Sequence, residues 1–257
     1  MAIDLLDISR IRAALPRFEI DYFDTVDSTS SHLKRLGASA LNKIAVAEEQ
    51  TAGRGRREKS WLSPHGRSLS VSLGVATARP LSNLGGLSTV VGVALLRELR
   101  AVGAGRAELK WPNDVWIQGQ KLCGILVELE RHGNQVVVII GFGINVVLTQ
   151  DERDQVVQPV TDLADQGVHV PRTELVIQLV QSVDACVAQF EQEGLTPFID
   201  EFNACHAFQD QACAVLLGDT RISGQVQGIA PDGALQVMTE SGLQLFHGGE
   251  VSLRAKD

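Results

Sequence analysis

The chain has 257 residues, 44% of them hydrophobic and 21% charged, with a formal net charge of −8. That length and apolar content predict a packed core in one large domain or a large plus a small one, and exclude a disordered chain. The acidic balance excludes a general nucleic-acid binder, and no apolar run reaches the roughly 18 residues that would suggest a membrane span.

The opening Met1-Ala2-Ile3-Asp4-Leu5-Leu6-Asp7 has neither the basic start nor the apolar run of a secretory signal, which predicts a cytoplasmic protein. Cys123, Cys186, Cys205 and Cys213 are widely spaced and form no C-x-x-C pair, so they read as reduced, mostly buried thiols.

Residues 1 to 19 form a short amphipathic lead, and Ile20 to Phe23 read as a first strand ending at Asp24. In Asp27-Ser28-Thr29-Ser30 capping residues precede a helix that Gly37 stops. Ser28 and Thr29 fit a helix cap, and they equally fit hydroxyls meeting a polar ligand where backbone N–H groups gather. His32 reads as a surface residue of that helix.

Lys43 to Ala47 is a predicted strand that delivers Glu48, Glu49 and Gln50 into Thr51-Ala52-Gly53-Arg54-Gly55-Arg56-Arg57-Glu58-Lys59-Ser60-Trp61. Four cations fall within the six positions 54 to 59 of an acidic chain. Gly53 and Gly55 allow close backbone approach, the arginines offer planar forks to phosphate or carboxylate, and Trp61 supplies a flat apolar surface. Beyond this loop, Leu69, Val71, Leu73 and Val75 alternate with Ser68, Ser70, Ser72 and Gly74, the period of a strand with one buried face.

Leu81 to Val102 carries apolar residues at helical spacing and predicts a core helix ended by Gly103. Ala107 to Lys110 then enters a turn at Pro112, Val115 to Ile117 is extended, and Gly119 closes a hairpin onto the strand beginning at Lys121. The β-branched run Val136 to Ile140 reads as a buried strand leading into Gly141-Phe142-Gly143-Ile144-Asn145. An amphipathic helix follows over about 172 to 193 and a shorter one over about 197 to 205. Four short strands punctuated by Pro231-Asp232-Gly233 and Ser241-Gly242 then give the pattern of a small β-barrel starting near residue 209.

The fold class predicted is therefore α/β (α+β), with a mixed sheet flanked by helices over residues 1–208 and the small barrel over 209–257. Three polar clusters sit at strand ends of the large sheet. They are the basic loop, Lys110-Trp111-Pro112-Asn113-Asp114 with Lys121, and Gly143-Ile144-Asn145.

At these residues the chain resembles the biotin protein ligases, or biotin carboxyl carrier protein ligases. The matching stretches are Asp27-Ser28-Thr29, Gln50 to Arg57 with Trp61, Lys110 to Asp114, Lys121-Leu122-Cys123-Gly124-Ile125-Leu126-Val127-Glu128, Gly141 to Asn145, and Gly248-Gly249-Glu250-Val251-Ser252-Leu253-Arg254. The likeness spans nearly the whole chain, and the order and spacing of the motifs make it specific.

The resemblance implies a catalytic domain followed by an SH3-like β-barrel domain. It also implies a reaction in which ATP, with Mg²⁺, and biotin give biotinyl-5′-AMP and pyrophosphate before biotin passes to a lysine of biotin carboxyl carrier protein. It assigns Ser28, Thr29 and Gln50 to the ureido ring of biotin, with Gly53 and Gly124 lining the same pocket. Arg54 and Lys121 are assigned to the reacting carboxylate and α-phosphate as catalytic residues. Arg56, Arg57 and Lys59 are assigned to the ATP phosphates and Trp61 to adenine, and Asn113, Asp114 and Asn145 remain as polar partners for the nucleotide and its Mg²⁺ ion. A homodimer is known among relatives.

Three departures stand out. Ser30 replaces a common asparagine, and Glu58 and Ser60 stand where relatives carry glycine or a cation. Only some 20 residues precede the first strand, too few for the winged helix of repressor-type members, so no DNA partner is expected. Ligation or transfer of lipoate or octanoate, by relatives of similar fold, is the alternative reading.

Overall fold

The structure, a computed structural model, describes residues 4–133, 135–218, 220–248 and 251–255, the side chains at 132, 135, 251, 252 and 255 apart. Gly249 and Glu250 of the terminal motif therefore lie outside the described residues.

Seven strands form the large sheet in the order β1-β2-β3-β7-β6-β5-β4. They are β1 (Glu19–Val26), β2 (Lys43–Gln50), β3 (Ser68–Ala76), β4 (Ala107–Lys110), β5 (Asp114–Ile117), β6 (Gln120–His132) and β7 (Gln135–Asn145). The β1–β2 pair is parallel and the other pairs are antiparallel, so the sheet is mixed as predicted.

The first helix, α1 (Ile8–Ala14), lies within the lead segment and is capped by Asp7, whose side chain accepts from Arg10 N–H. The others are α2 (Thr29–Leu36), α3 (Leu87–Ala101), α4 (Gln150–Asp154), α5 (Arg172–Glu193) and α6 (Thr196–Cys205). The main core joins α1, α3, α5 and α6 to one sheet face through Val91, Leu95, Leu179, Val183, Phe190 and Phe202. A smaller cluster of Leu33, Ala40, Ala45, Val137 and Ile139 seats α2 on the opposite face.

Two expectations change. On β3 the serines are buried as completely as the aliphatic residues, so both faces of the strand are covered. The leucine–valine face enters the main core, and the serine face lies beneath α2 and the loop after β2. The helix expected from Leu81 begins only at Leu87, after a single 3₁₀ turn at Leu81–Asn83. A Cβ on Gly85 would stand 2.7 Å from the carbonyl of Asp232, so this segment is a seat for the second unit and not a helical turn.

That second unit is a five-stranded antiparallel sheet in the order β11-β10-β9-β8-β12. Its strands are β8 (Ala212–Leu217), β9 (Thr220–Ile229), β10 (Leu235–Thr239), β11 (Gly242–Phe246) and β12 (Val251–Ala255). Among the described residues no ladder joins β11 to β12, so the SH3-like expectation takes the form of a sheet without that closure. It is fastened beside the large sheet by Trp111, whose buried indole N–H donates to Gly233 O at 3.1 Å, and to α6 by Ile229 N–H, which donates to Asn203 Oδ1 at 3.1 Å.

Candidate active site

The residue periodicity of the central strands opens a trough. Side chains alternate across a strand, so Ser68, Ser70 and Ser72 of β3 share a face with their register partners Asn145, Gly143 and Gly141 of β7. Gly124 of β6 pairs with Gly143 and extends the same strip. Hydroxyls and glycines thus occupy positions where larger side chains would close the space.

The trough deepens into a cleft of about 940 Å³ walled by the loop after β2, the β4–β5 turn, the start of β6, the 155–160 segment and β12. Ser28, Thr29, Gln50, Gly53, Arg54, Arg56, Arg57, Lys59, Trp61, Asn113, Asp114, Lys121, Gly124 and Asn145 all line it.

One end is a chain of neutral hydrogen-bonding groups. Ser28 caps α2, and Thr29 N–H and Oγ1–H both donate to Gln50 Oε1, at 2.9 and 3.2 Å. Gln50 Nε2 donates to Ser70 Oγ at 3.1 Å, and Thr29 Oγ1 lies 2.8 Å from Ser72 Oγ. Ser28 Oγ lies 3.1 Å from Ser30 Oγ, so Ser30 extends this polar network. Ser28 thus caps the helix, and Ser28 and Thr29 also face the cleft.

The other end is cationic. Arg56 Nη1 donates to Asn113 Oδ1 at 3.1 Å, while Arg57 and Lys59 are exposed. Arg57 and Glu58 both have φ near +56°, a left-handed backbone that costs a non-glycine residue about 1–2 kcal/mol. Glu58, where the resemblance leads one to expect glycine or a cation, falls at this turn.

Between the ends, Lys121 Nζ pairs with Asp114 Oδ1 at 2.7 Å and lies 5.5 Å from the centre of the Trp61 ring. Lys121 is held through its backbone: its N–H donates to Pro159 O, and Asn145 Nδ2 donates to its carbonyl at 3.4 Å and to Thr161 O at 2.9 Å. Asn145 therefore fixes Lys121 and the neighbouring segment with its amide nitrogen and keeps its amide oxygen for other use.

Arg54 and Trp61 are held by neighbours within the protein. Arg54 forms ion pairs with Glu128 of β6, at 3.2 and 3.3 Å, and Glu128 also meets Lys34 at 3.0 Å. Trp61 lies on the glycine strip, since a Cβ on Gly143 would stand 2.4 Å from indole Cε2 and one on Gly124 would stand 3.1 Å from Cζ3. Gly143→Ala is expected to push the indole off the strip, because a contact that short cannot be absorbed without movement. A shift in Trp61 fluorescence with an unchanged far-ultraviolet circular dichroism spectrum is the expected outcome, and an unshifted spectrum would contradict this seating.

The cleft also contains residues that site prediction passed over. Lys110 is buried, its Nζ stands 3.7 Å from the centre of the Trp116 ring, and it lines the cleft together with Arg254 of β12. Its position beside Pro112-Asn113-Asp114 was the available signal. Arg254 had only its place in the terminal motif.

Residues 22–145 match the model of the biotin/lipoate A/B protein ligase family, and residues 210–254 that of the biotin protein ligase C terminal domain. The chain is similar to the bifunctional ligase/repressor BirA of Salmonella typhimurium, 35% identical over 99% of this chain and 80% of that protein. It is 29% identical to the biotin--[acetyl-CoA-carboxylase] ligase of Paracoccus denitrificans, over 88% of this chain and 96% of that one. A structure of the biotin protein ligase from Aquifex aeolicus in complex with biotin and ATP superposes with a TM-score of 0.80 at 27% identity, covering 93% of this chain and 99% of that one.

Proposed function

The chain belongs to the biotin protein ligase family, and from that premise we propose that it joins biotin to ATP as biotinyl-5′-AMP and then to a lysine of a biotin carboxyl carrier protein. The observation that carries this reading is the polarity gradient of the cleft. A neutral Thr29–Gln50–Ser70 ladder suits a ureido ring with both donors and acceptors, and it leads to the cations around Lys121 that suit a carboxylate and a triphosphate.

Activation must bring two anions together. Lys121 and Arg54 offset their repulsion at the carboxylate and α-phosphate, and Arg56, Arg57 and Lys59 take the remaining phosphates. For Arg54 this means exchanging Glu128 for the ligand's oxygens. Trp61 contributes its ring to the apolar parts of biotin and adenine. Asn113, Asp114 and Asn145 serve the nucleotide, and Mg²⁺ enters as part of the ATP substrate. Residues 1–208 carry the chemistry in this scheme, and 209–257 complete the cleft wall through Arg254.

Pyrophosphate release separates this reading from lipoate or octanoate activation. The expected result is release that depends on biotin. Release stimulated by lipoate and indifferent to biotin would overturn it.

A further inference from the structure

A carrier lysine arrives as an ammonium ion, and its destination is lined by Arg54, Arg56, Arg57, Lys59, Lys121 and Arg254. Such a field repels the ammonium and favours its loss of a proton, and a neutral base on the cleft wall would speed that loss. Asp114 is the sole carboxylate among the described lining residues, and it is engaged by Lys121 at 2.7 Å.

Lys110 differs from every other cation there. It is 7% exposed, it rests on the face of Trp116, and it has no hydrogen-bond or ion-pair partner among the described residues. The charged groups around it are Arg254 from β12, Lys121 from β6 and Lys59 from the loop, opposed by Asp114 from β5; His206, after α6, packs beside it as a buried imidazole. The ring face and Asp114 favour the ammonium, but burial without an ion-pair partner among the described residues, together with three neighbouring cations, outweighs them and favours the neutral amine.

We propose that Lys110 is a catalytic residue of the transfer step, the base that takes the proton from the acceptor lysine. This rests on the ligase reading above and supplies the residue that reading leaves unnamed. The neutral Lys110 amine removes one proton from the acceptor ammonium. The freed lone pair attacks the acyl carbon of the adenylate, the new C–N bond forms, and the acyl C–O bond breaks with its electrons passing to AMP. The second nitrogen proton leaves on the AMP phosphate, and Lys110 returns its proton to solvent. Burial, and then the charge of Arg254, lower the Lys110 ammonium to about 7, which makes a neutral amine available at physiological pH.

The test is single-turnover transfer to a carrier domain from enzyme preloaded with biotinyl-5′-AMP, across pH 6 to 9, beside pyrophosphate release for the first step. Wild-type transfer should rise with pH and level off above about 7. Lys110→Met should slow transfer on the order of 100-fold, far more than it slows pyrophosphate release, and should abolish the rise. Lys110→Arg, which keeps the charge but cannot give up its proton, should not restore either. Should the methionine variant fail to fold, the arginine variant's profile decides alone. Restored transfer in Lys110→Arg, a pH rise surviving in Lys110→Met, or equal slowing of both steps would each overturn the assignment. A wild-type enzyme that releases no pyrophosphate with biotin would remove the ligase reading and this one with it.

Discussion

Lys121→Ala should slow biotinyl-adenylate formation on the order of 100-fold, equivalent to about 3 kcal/mol of lost transition-state stabilisation. The residue stands between the neutral ladder and the cationic wall, and its side chain is 13% exposed. A charge held there acts with little screening from water. Its backbone is fixed on both sides by Pro159 and Asn145, so the ammonium needs little reorganisation when charge builds on the α-phosphate. The mutation also leaves Asp114 without its partner, so thermal melting of the variant is measured alongside. Rapid-quench measurement of adenylate gives the rate directly. A variant that folds normally and forms adenylate at the wild-type rate would remove Lys121 from the chemistry.

Arg172→Met is expected to produce the largest loss of stability. Glu48 is fully buried and accepts from Leu6 N–H at 2.8 Å, Tyr22 Oη at 3.2 Å and Arg172 Nη1 at 2.6 Å. Arg172 also donates to the carbonyls of Ser68 and Asp4, tying the start of α5 to β3 and the lead segment. Removing the arginine strands a carboxylate in the interior, which costs about 3–5 kcal/mol. For a chain of this size that corresponds to a drop of roughly 10 °C in Tm. A change below about 1 kcal/mol would mean that the pair behaves as an exposed one. Glu48 lies two residues before Gln50 on β2, so the same variant should also weaken biotin binding by loosening the ladder's base.

Much of this architecture was legible because local rules and tertiary structure agree. The Ser28 cap with the Gly37 stop, the apolar period of α5 and the turn residues of the second sheet all specify what forms there. The motif residues lie far apart in sequence and converge on one cleft only in three dimensions. What escaped the sequence depends on contacts between distant segments. Gly85 and Gly86 lie within the apolar period that predicts a helix from Leu81, yet they accept the 231–233 turn, and helix α3 begins only at Leu87. Ser70 and Ser72 read as a solvent face because nothing local announces that α2 and the Gln50 side chain will cover them. Glu128 reads as the end of a motif, and its pairing with Arg54 joins residues 74 apart. The burial of Lys110 of β4 against Trp116 of β5 has no local signature in the sequence.

The central claim is that the ladder and the cationic wall together make one ligation site. Intact-mass analysis of a biotin carboxyl carrier domain, incubated with this protein, MgATP and biotin, tests it most directly. The expected result is the gain of one biotinyl group on a single lysine, dependent on ATP and lost when lipoate replaces biotin. A carrier whose mass is unchanged by active, folded protein, or one that gains a lipoyl group instead, would contradict it.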